Sequence, residues 1–324
     1  MKHRTIILFI GFAVTSLLSA APAQAQNQHS FVASFGNDAN ACTLAAPCRH
    51  LQAALTATIA GGEIAILDTA GYNGGTTVII TQAVSIVNPG GFEAAIAPPS
   101  GGIGIEIDAG ANDAVSLRGL SIDGAGVGHT GIKFISGGSL TVENCVIRHM
   151  AFPPGTGIFF ASTTATSTLT VSNSVVADNS GEGIFFGPFG SATAVFNRVE
   201  VNNNGNGIFV GGQSSAPTNT INATVFDSVV AGNNAPGGAG FTSFTQSGQA
   251  PASLTVVHSV AANNLYGVAA NGAGATVRLA NSAVTGNTGG GWLVGNGSVV
   301  ASYGDNYIDG NGANMGSLTS ISKQ

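Results

Sequence analysis

A short sequence pattern recurs along most of this chain, and it constrains the fold more than any other feature. Leu140-Thr-Val-Glu-Asn144-Cys-Val-Ile is followed by Leu169-Thr-Val-Ser-Asn173-Ser-Val-Val and later by Val277-Arg-Leu-Ala-Asn281-Ser-Ala-Val. After each copy come a polar turn and a strand that starts with glycine, such as Gly157-Ile-Phe-Phe. A repeat of roughly 22–31 residues that holds only short strands and turns predicts a solenoid.

Alignment of the coils on the repeated Asn predicts which residues face the interior. Alternation with period two buries the residues two and four positions before that Asn. The first of these columns holds Leu117, Val142, Val171, Val195, Val225, Val256, Leu279 and Tyr303. The same register places Phe196 and Phe226 on the outside. It also puts Glu200 in an aliphatic column, so we expect that coil to shift by one residue and to bury Val199 and Val201, because an unpaired buried carboxylate is costly.

A second row of asparagines stands six positions after the first. Its members are Asn179, Asn203, Asn233, Asn264, Asn287 and Asn311. Stacked Asn side chains can hydrogen-bond from coil to coil at the strand spacing of about 4.8 Å, and Asn also suits tight turns. We therefore expect these asparagines to have a structural role.

The first 25 residues have the organisation of a secretory signal. Lys2 and Arg4 precede an apolar stretch from Ile6 to Leu18, and Ala23-Gln24-Ala25 has the small residues of a cleavage site. The apolar stretch is short for a membrane span, and no second one follows it. The sequence therefore predicts an exported protein, secreted or periplasmic, with no transmembrane segment in the mature chain.

The rest of the chain divides into two parts. Residues 26–62 form an N-terminal segment, in which Pro47 to Ile59 predicts one short helix with Leu51 and Leu55 on its apolar stripe. A parallel solenoid has open strand edges at its ends, and we expect this helix to cover them. Residues 63–324 form the solenoid itself, so the fold class is all-β with one capping helix.

Charge and cysteine content narrow the classes of partner and the compartment. The predicted mature chain has seven Lys and Arg against fifteen Asp and Glu, a balance of −8, which disfavours nucleic acid and anionic membranes as partners. Cys42 and Cys48 lie six residues apart in a loop that contains a proline. An exported protein meets oxidising conditions, so we expect these two to form a disulfide. Cys145 lies inside a repeat and is expected to be a small packed residue.

The repeats resemble those of the right-handed parallel β-helix proteins of the pectate-lyase-like superfamily. The segments Phe35-Gly-Asn-Asp-Ala-Asn-Ala-Cys42, Ala46-Pro-Cys48-Arg-His-Leu-Gln-Ala-Ala-Leu and Gly61-Gly-Glu-Ile-Ala-Ile are similar to the N-terminal module of many secreted members. The resemblance implies a right-handed parallel β-helix over nearly the whole mature chain. It leaves the activity open, because the superfamily includes lyases, hydrolases, epimerases, adhesins and proteins without known chemistry.

The acidic clusters that the resemblance implies for an enzyme are not evident in this sequence. Superfamily lyases use clustered Asp ligands for Ca²⁺ with a Lys or Arg base, and hydrolases use two or three Asp on adjacent coils, whereas the Asp residues here fall mainly at turns. The best polar cluster combines His149, Asp178, Glu182 and Lys133, of which His149 and Asp178 share a column in adjacent coils. A carboxylate beside an imidazole can perform general acid–base chemistry. The alternative is a solvated turn. We predict no metal site and no cofactor.

A row of phenylalanines on the glycine-led strands is the second candidate site. Ile158, Ile184 and Ile208 are predicted to face inward, which leaves Phe159, Phe185 and Phe209 facing outward; Lys133 occupies the same outward position one coil earlier. An exposed apolar stripe usually binds something or is covered. Three interpretations remain open: cover by nearby loops such as Phe152-Pro-Pro154 and Pro188-Phe189, a protein or oligomer interface, and stacking against a glycan.

Two functions follow from these features. The first is a non-catalytic β-helix that presents an elongated surface to a polysaccharide or to a surface protein, through the phenylalanine row. The second is a polysaccharide-active enzyme, a lyase, glycoside hydrolase or epimerase, whose catalytic groups are His149, Asp178, Glu182 and Lys133. Convergence of those four side chains in a groove would favour the second function.

Overall fold

In the part of the chain that the structure describes, the protein is a parallel β-solenoid with one short helix. The structure, a computed structural model, describes residues 26–212 and 216–323. The predicted signal segment, residues 1–25, lies outside the described part of the chain. Within the described residues the strands assemble into three long parallel sheets, and each full coil contributes one strand to each sheet. We number the sheets in the order in which a coil visits them.

Sheet 1 has twelve strands: Asn27–Val32, Thr58–Ile66, Val84–Val87, Ala114–Arg118, Ser139–Glu143, Thr166–Ser172, Ser191–Asn197, Ile221–Phe226, Ala252–Val257, Ala275–Ala280, Val299–Ser302 and Leu318–Ser320. Sheet 2 has ten strands: Ala70–Gly71, Ala94–Ile96, Leu120–Gly128, Val146–Met150, Val175–Ala177, Glu200–Asn202, Val229–Ala231, Val260–Ala262, Ala283–Thr285 and Tyr307–Asp309. Sheet 3 has nine strands: Val78–Ile80, Ile103–Asp108, Thr130–Ser136, Thr156–Phe160, Glu182–Phe186, Asn206–Gly211, Ala239–Phe244, Tyr266–Asn271 and Gly290–Gly295.

The core is a column of aliphatic and aromatic side chains that runs along the solenoid axis. On sheet 3 it includes a stack of buried rings, in which Phe134 and Phe160 lie 4.4 Å apart and Phe160 and Phe186 lie 5.2 Å apart. Glycine is required where sheet 2 turns into sheet 3. A Cβ atom on Gly157 would collide with the Val176 side chain, so only glycine lets the two strands approach at this corner.

A ladder of buried asparagines joins successive coils at the same corner, as predicted. Each Nδ2 donates to the Oδ1 of the next Asn, over 2.8 Å from Asn179 to Asn204, 3.2 Å from Asn204 to Asn233 and 2.9 Å from Asn233 to Asn264. The ladder continues through Asn287 to Asn311. One predicted member was wrong. Asn204 takes the place assigned to Asn203, which instead stands in the left-handed turn with φ 57°.

The difference at Asn203 belongs to a one-residue register shift that covers the sheet 1 and sheet 2 strands of one coil and ends before sheet 3, where Ile184 pairs with Ile208. Val171 pairs with Phe196 and Val176 pairs with Val201. Phe196 is fully buried, whereas Val195 is 37% exposed, so the predicted inward position of Val195 and outward position of Phe196 were both wrong. The larger apolar side chain takes the interior because its burial is worth more. The predicted burial of Val199 and Val201 is confirmed, and Glu200 is exposed.

In sheet 1 the last coil is displaced by one residue in the opposite direction. Leu279 pairs with Ser302, not with Tyr303, and Val277 pairs with Val300. Gly304, with φ 80°, adds one residue to the turn that follows. Sheet 2 then returns to the predicted register, since Val284 pairs with Ile308.

The N-terminal end of the solenoid is closed by a helix and by a strand. The helix spans Leu51–Ala57, shorter than the predicted 47–59, because the β-branched pair Thr58-Ile59 already belongs to a strand of sheet 1. The Gln52 side chain accepts from the Ile79 N–H at 2.9 Å and donates to its carbonyl at 3.2 Å, and it thereby satisfies the free edge of sheet 3. The strand Asn27–Val32, which the sequence patterns did not predict, covers the edge of sheet 1.

Cys42 and Cys48 form a disulfide in the loop that precedes the helix. Their Cα atoms lie 4.6 Å apart, and both residues are buried. The Cys48 N–H donates to the Phe31 carbonyl, and the Cys48 carbonyl accepts from the Ala33 N–H. The disulfide therefore ties the loop to the strand that covers sheet 1.

Candidate functional site

The outward face of sheet 3 holds the row of phenylalanines that the sequence predicts. Phe159, Phe185 and Phe209 are paired coil to coil, each is partly exposed, and Ile158, Ile184 and Ile208 beside them are fully buried. The predicted orientation is confirmed. We call these three residues, together with Phe244 of the next coil, the Phe row.

The rings of the Phe row stack on one another. The Phe159 and Phe185 centroids lie 4.8 Å apart with planes 7° from parallel, and Phe185 and Phe209 lie 5.2 Å apart with planes 11° from parallel. Parallel rings at this distance are offset-stacked, a geometry worth about 0.5–1.5 kcal/mol per pair beyond burial. A Cβ on Gly187 would collide with the Phe185 ring, so this glycine lets the ring lie close to the sheet.

Phe244 extends the row and was not predicted. Its ring centroid lies 5.8 Å from that of Phe209, with the planes 38° apart, and its side chain is partly exposed. Phe244 pairs with Gly211, two residues beyond Phe209, so it enters the row from the neighbouring column. The sequence signal for it, Gly240-Phe-Thr-Ser-Phe244, lacks the Gly-Ile-Phe motif of the earlier coils.

The loops that were candidates to cover the row keep their own rings in solvent. Phe152 is 50% exposed and Phe189 is 47% exposed. The Phe152 ring lies near His129, with centroids 6.3 Å apart. At the other end of the row, next to Phe159, Lys133 donates to Glu106 at 3.1 Å. The row therefore begins at an ion pair and presents partly exposed aromatic carbon along four coils.

The predicted polar cluster lies on the turn from sheet 2 to sheet 3, and its centre is His149. His149, Asp178 and Asn203 all have φ between 57° and 59°, a left-handed conformation that Asn and Asp tolerate better than most residues. His149 Nε2 lies 3.9 Å from Asp178 Oδ2, and Asn203 Nδ2 donates to Asp178 Oδ1 at 3.3 Å. The structure thus brings His149 and Asp178 together as predicted.

Asp123 completes this cluster from the preceding coil. Its carboxylate lies 3.0 Å from His149 Nδ1 and accepts from Arg148 Nε at 2.9 Å and from the Ala125 N–H at 2.9 Å. Partial burial acts to raise the pKa of Asp123, but the hydrogen bonds from Ala125, His149 and Arg148 outweigh it, so its pKa lies below the usual value. Two carboxylates flank one imidazole, which is an arrangement capable of holding and moving a proton.

The other two predicted catalytic residues have different partners. Lys133 lies on sheet 3 in its ion pair with Glu106, and Glu182 accepts from Thr156 Oγ1 at 3.4 Å. The structure therefore does not bring all four side chains into one hydrogen-bonded set. Their catalytic role stays a prediction.

Cys145 is packed between coils. Its side chain is buried, and burial raises the pKa of the thiol to about 11. A thiol with such a pKa is mostly protonated at neutral pH, which makes it a poor nucleophile.

Within 26–212 and 216–323, no group of three or more His, Cys, Asp or Glu side chains is arranged to hold a metal ion. The same residues contain no helix of the length and apolarity that crossing a membrane needs.

The comparisons with known proteins agree with the fold. Residues 72–226 match the family described as right handed beta helix region. Together with the three parallel sheets, this match defines the class: the chain is a right-handed parallel β-helix repeat protein. Searches of curated proteins and of solved structures gave no match.

Proposed function

We propose that this protein is an exported, non-catalytic β-helix that binds a neutral polysaccharide along the outward face of sheet 3. The Phe row is the observation that carries the proposal. Partly exposed aromatic carbon that continues over four coils is unusual for a surface with no ligand, because soluble proteins rarely leave such patches open. A chain ligand that runs parallel to the solenoid axis would meet this surface once per coil, at about 4.8 Å intervals.

The chemistry around the row favours a neutral sugar chain over other polymers. The balance of −8 in the predicted mature chain disfavours anionic polymers. The one cation beside the row, Lys133, is already paired with Glu106 among the described residues. Sugars combine apolar C–H faces, which pack on aromatic rings, with hydroxyls that seek amide partners.

Substitution of Phe185 tests this function. Phe185 is the central ring of the stacked set, so the Phe185→Ser variant should lose most of the binding to whichever neutral polysaccharide a glycan array identifies, while the fold is retained. The matched control is Phe226→Ser, which removes a partly exposed outward ring from sheet 1. Equal binding by both variants would contradict the proposal, and so would the capture of protein partners alone through Phe185.

The Asp123–His149–Asp178 cluster favours a second function, that of a polysaccharide-active enzyme. Two carboxylates around one imidazole provide the acid and the base that glycosidic chemistry requires. The Asp178→Ala variant should then abolish turnover of a neutral or acidic polysaccharide, measured as reducing ends or as the absorbance of unsaturated products. Unchanged turnover in that variant would remove this function.

A further inference from the structure

The stacked rings of the Phe row leave one end open. In offset stacking each ring covers part of the face of the next, so Phe185 presents its edge and only part of its faces. Phe244 is different. Its neighbour on one side is Phe209, but on the next coil its backbone partner is Asn271, which has no ring. The side of Phe244 that faces this coil is therefore not covered by an aromatic neighbour.

A cleft opens beside this uncovered ring. It has a volume of about 470 Å³, and Phe244, Gln246, Asn271 and Asn296 contribute to its lining. None of the residues that line the cleft is charged. The cleft thus combines one aromatic side chain with three amide side chains, which is an uncharged and strongly hydrogen-bonding surface.

The amides of Asn271 and Asn296 hold each other in place and keep spare hydrogen-bonding groups. Asn296 Nδ2 donates to Asn271 Oδ1 at 2.8 Å. Within the described part of the chain this is the hydrogen bond that each side chain makes, so Asn271 Nδ2 retains both donors and Asn296 Oδ1 retains an acceptor. The free donor and the free acceptor belong to two amides that are hydrogen-bonded to each other, and such a pair can bond to two neighbouring hydroxyl groups, which can each donate and accept.

From this geometry we propose that the cleft is a subsite for one neutral sugar unit at the end of the bound chain. The sugar's C–H face packs on Phe244, and two adjacent hydroxyls bond to Asn271 and Asn296. The inference rests on the proposed function, since the rest of the ligand follows the Phe row. It adds a direction, because the opposite end of the row is the Lys133–Glu106 ion pair, and a ligand with two different ends binds in one orientation.

Calorimetric titration with neutral hexasaccharides tests the subsite. The probes are cellohexaose, maltohexaose and the hexamer of N-acetylglucosamine. Asn271→Ala removes two donors and the anchor of Asn296, so affinity for the probe that binds should fall about tenfold. The control is Asn234→Ala, an exposed asparagine on a turn outside the cleft, whose affinity should equal that of the wild type. Thermal melting verifies that all variants fold.

The outcomes separate the subsite from the proposed function. Weaker binding by both Phe185→Ser and Asn271→Ala supports the subsite. Weaker binding by Phe185→Ser with Asn271→Ala equal to its control overturns the subsite and leaves the function standing. If Asn271→Ala binds more weakly but Phe185→Ser binds as the wild type does, the result supports a sugar site in the cleft and contradicts binding along the Phe row. Failure of the wild-type protein to bind any of the three probes contradicts the function and the subsite together.

Discussion

At the scale of single residues, the buried asparagines do work that an apolar side chain cannot do. Each one accepts a hydrogen bond from a backbone N–H of the coil before it, and those from Asn204 onward also donate to a backbone carbonyl of that coil. Asn233 Oδ1 accepts from the Asn204 N–H, and its Nδ2 donates to the carbonyls of Val201 and Ala231. The turn between sheets 2 and 3 is therefore built around these side chains, because buried backbone groups must find partners.

Replacement of one asparagine of the ladder should destabilise the fold strongly. Asn233→Ala leaves several buried donors and acceptors without partners, so we expect the free energy of unfolding to fall by about 2–4 kcal/mol. The adjacent exposed residue provides the control, since Asn234→Ala should change it by less than about 0.5 kcal/mol. Urea denaturation followed by circular dichroism measures both. Equal stabilities of the two variants would show that the ladder is dispensable.

The hydrogen bonds to Asp123 predict a pH dependence. Its pKa is lowered in the folded protein, so the ionised form stabilises the fold above the unfolded pKa of about 3.9, and this contribution is lost as the pH falls through the folded pKa. The stability difference between the wild type and Asp123→Asn should therefore be largest near pH 6 and should shrink below about pH 4. Asp309→Asn, which alters an exposed carboxylate, is the control. A difference that stays constant down to about pH 3 would contradict this interpretation.

At the scale of elements, there is one strand whose inward-facing residues could not be predicted from the sequence pattern alone. The strand Ser191–Asn197 could bury either of two alternating sets of side chains. Thr193 and Val195 could face inward, or Ala194 and Phe196 could. Alignment on Asn197 selects the wrong parity. Glu200, a charged residue in an aliphatic column, indicated the register shift in sheet 2. It did not indicate that the shift begins in the preceding strand of sheet 1, because the register of that strand depends on its pairing with the adjacent coils.

Two alanine substitutions in this strand report its register. Phe196→Ala should lower the free energy of unfolding by about 3–5 kcal/mol, because it opens a cavity in the core. Val195→Ala should cost less than about 1 kcal/mol, since its side chain is 37% exposed. Chemical denaturation of the two variants measures the difference. A larger loss of stability in Val195→Ala than in Phe196→Ala would contradict this register and support the one that the Asn alignment predicts.

At the scale of the whole molecule, the repeat explains why the fold was predictable and the site only in part. Most coils meet their neighbours in the same way, so a pattern seen in three coils specifies most of the others. The outward position of Phe159, Phe185 and Phe209 followed from Lys133, which would not choose the core. Phe244 and its cleft could not be predicted in this way, because they arise where one coil departs from the repeat.

The central claim is that a polysaccharide binds the outward face of sheet 3. Hydroxyl-radical footprinting with and without the polysaccharide that the glycan array identifies tests this claim most directly. Oxidation of Phe159, Phe185, Phe209 and Phe244 should fall in the complex, because the ligand excludes water from their rings. Phe226, on the outward face of sheet 1, should be oxidised equally in both samples. Protection of Phe226 with no change in the Phe row would contradict the proposed surface.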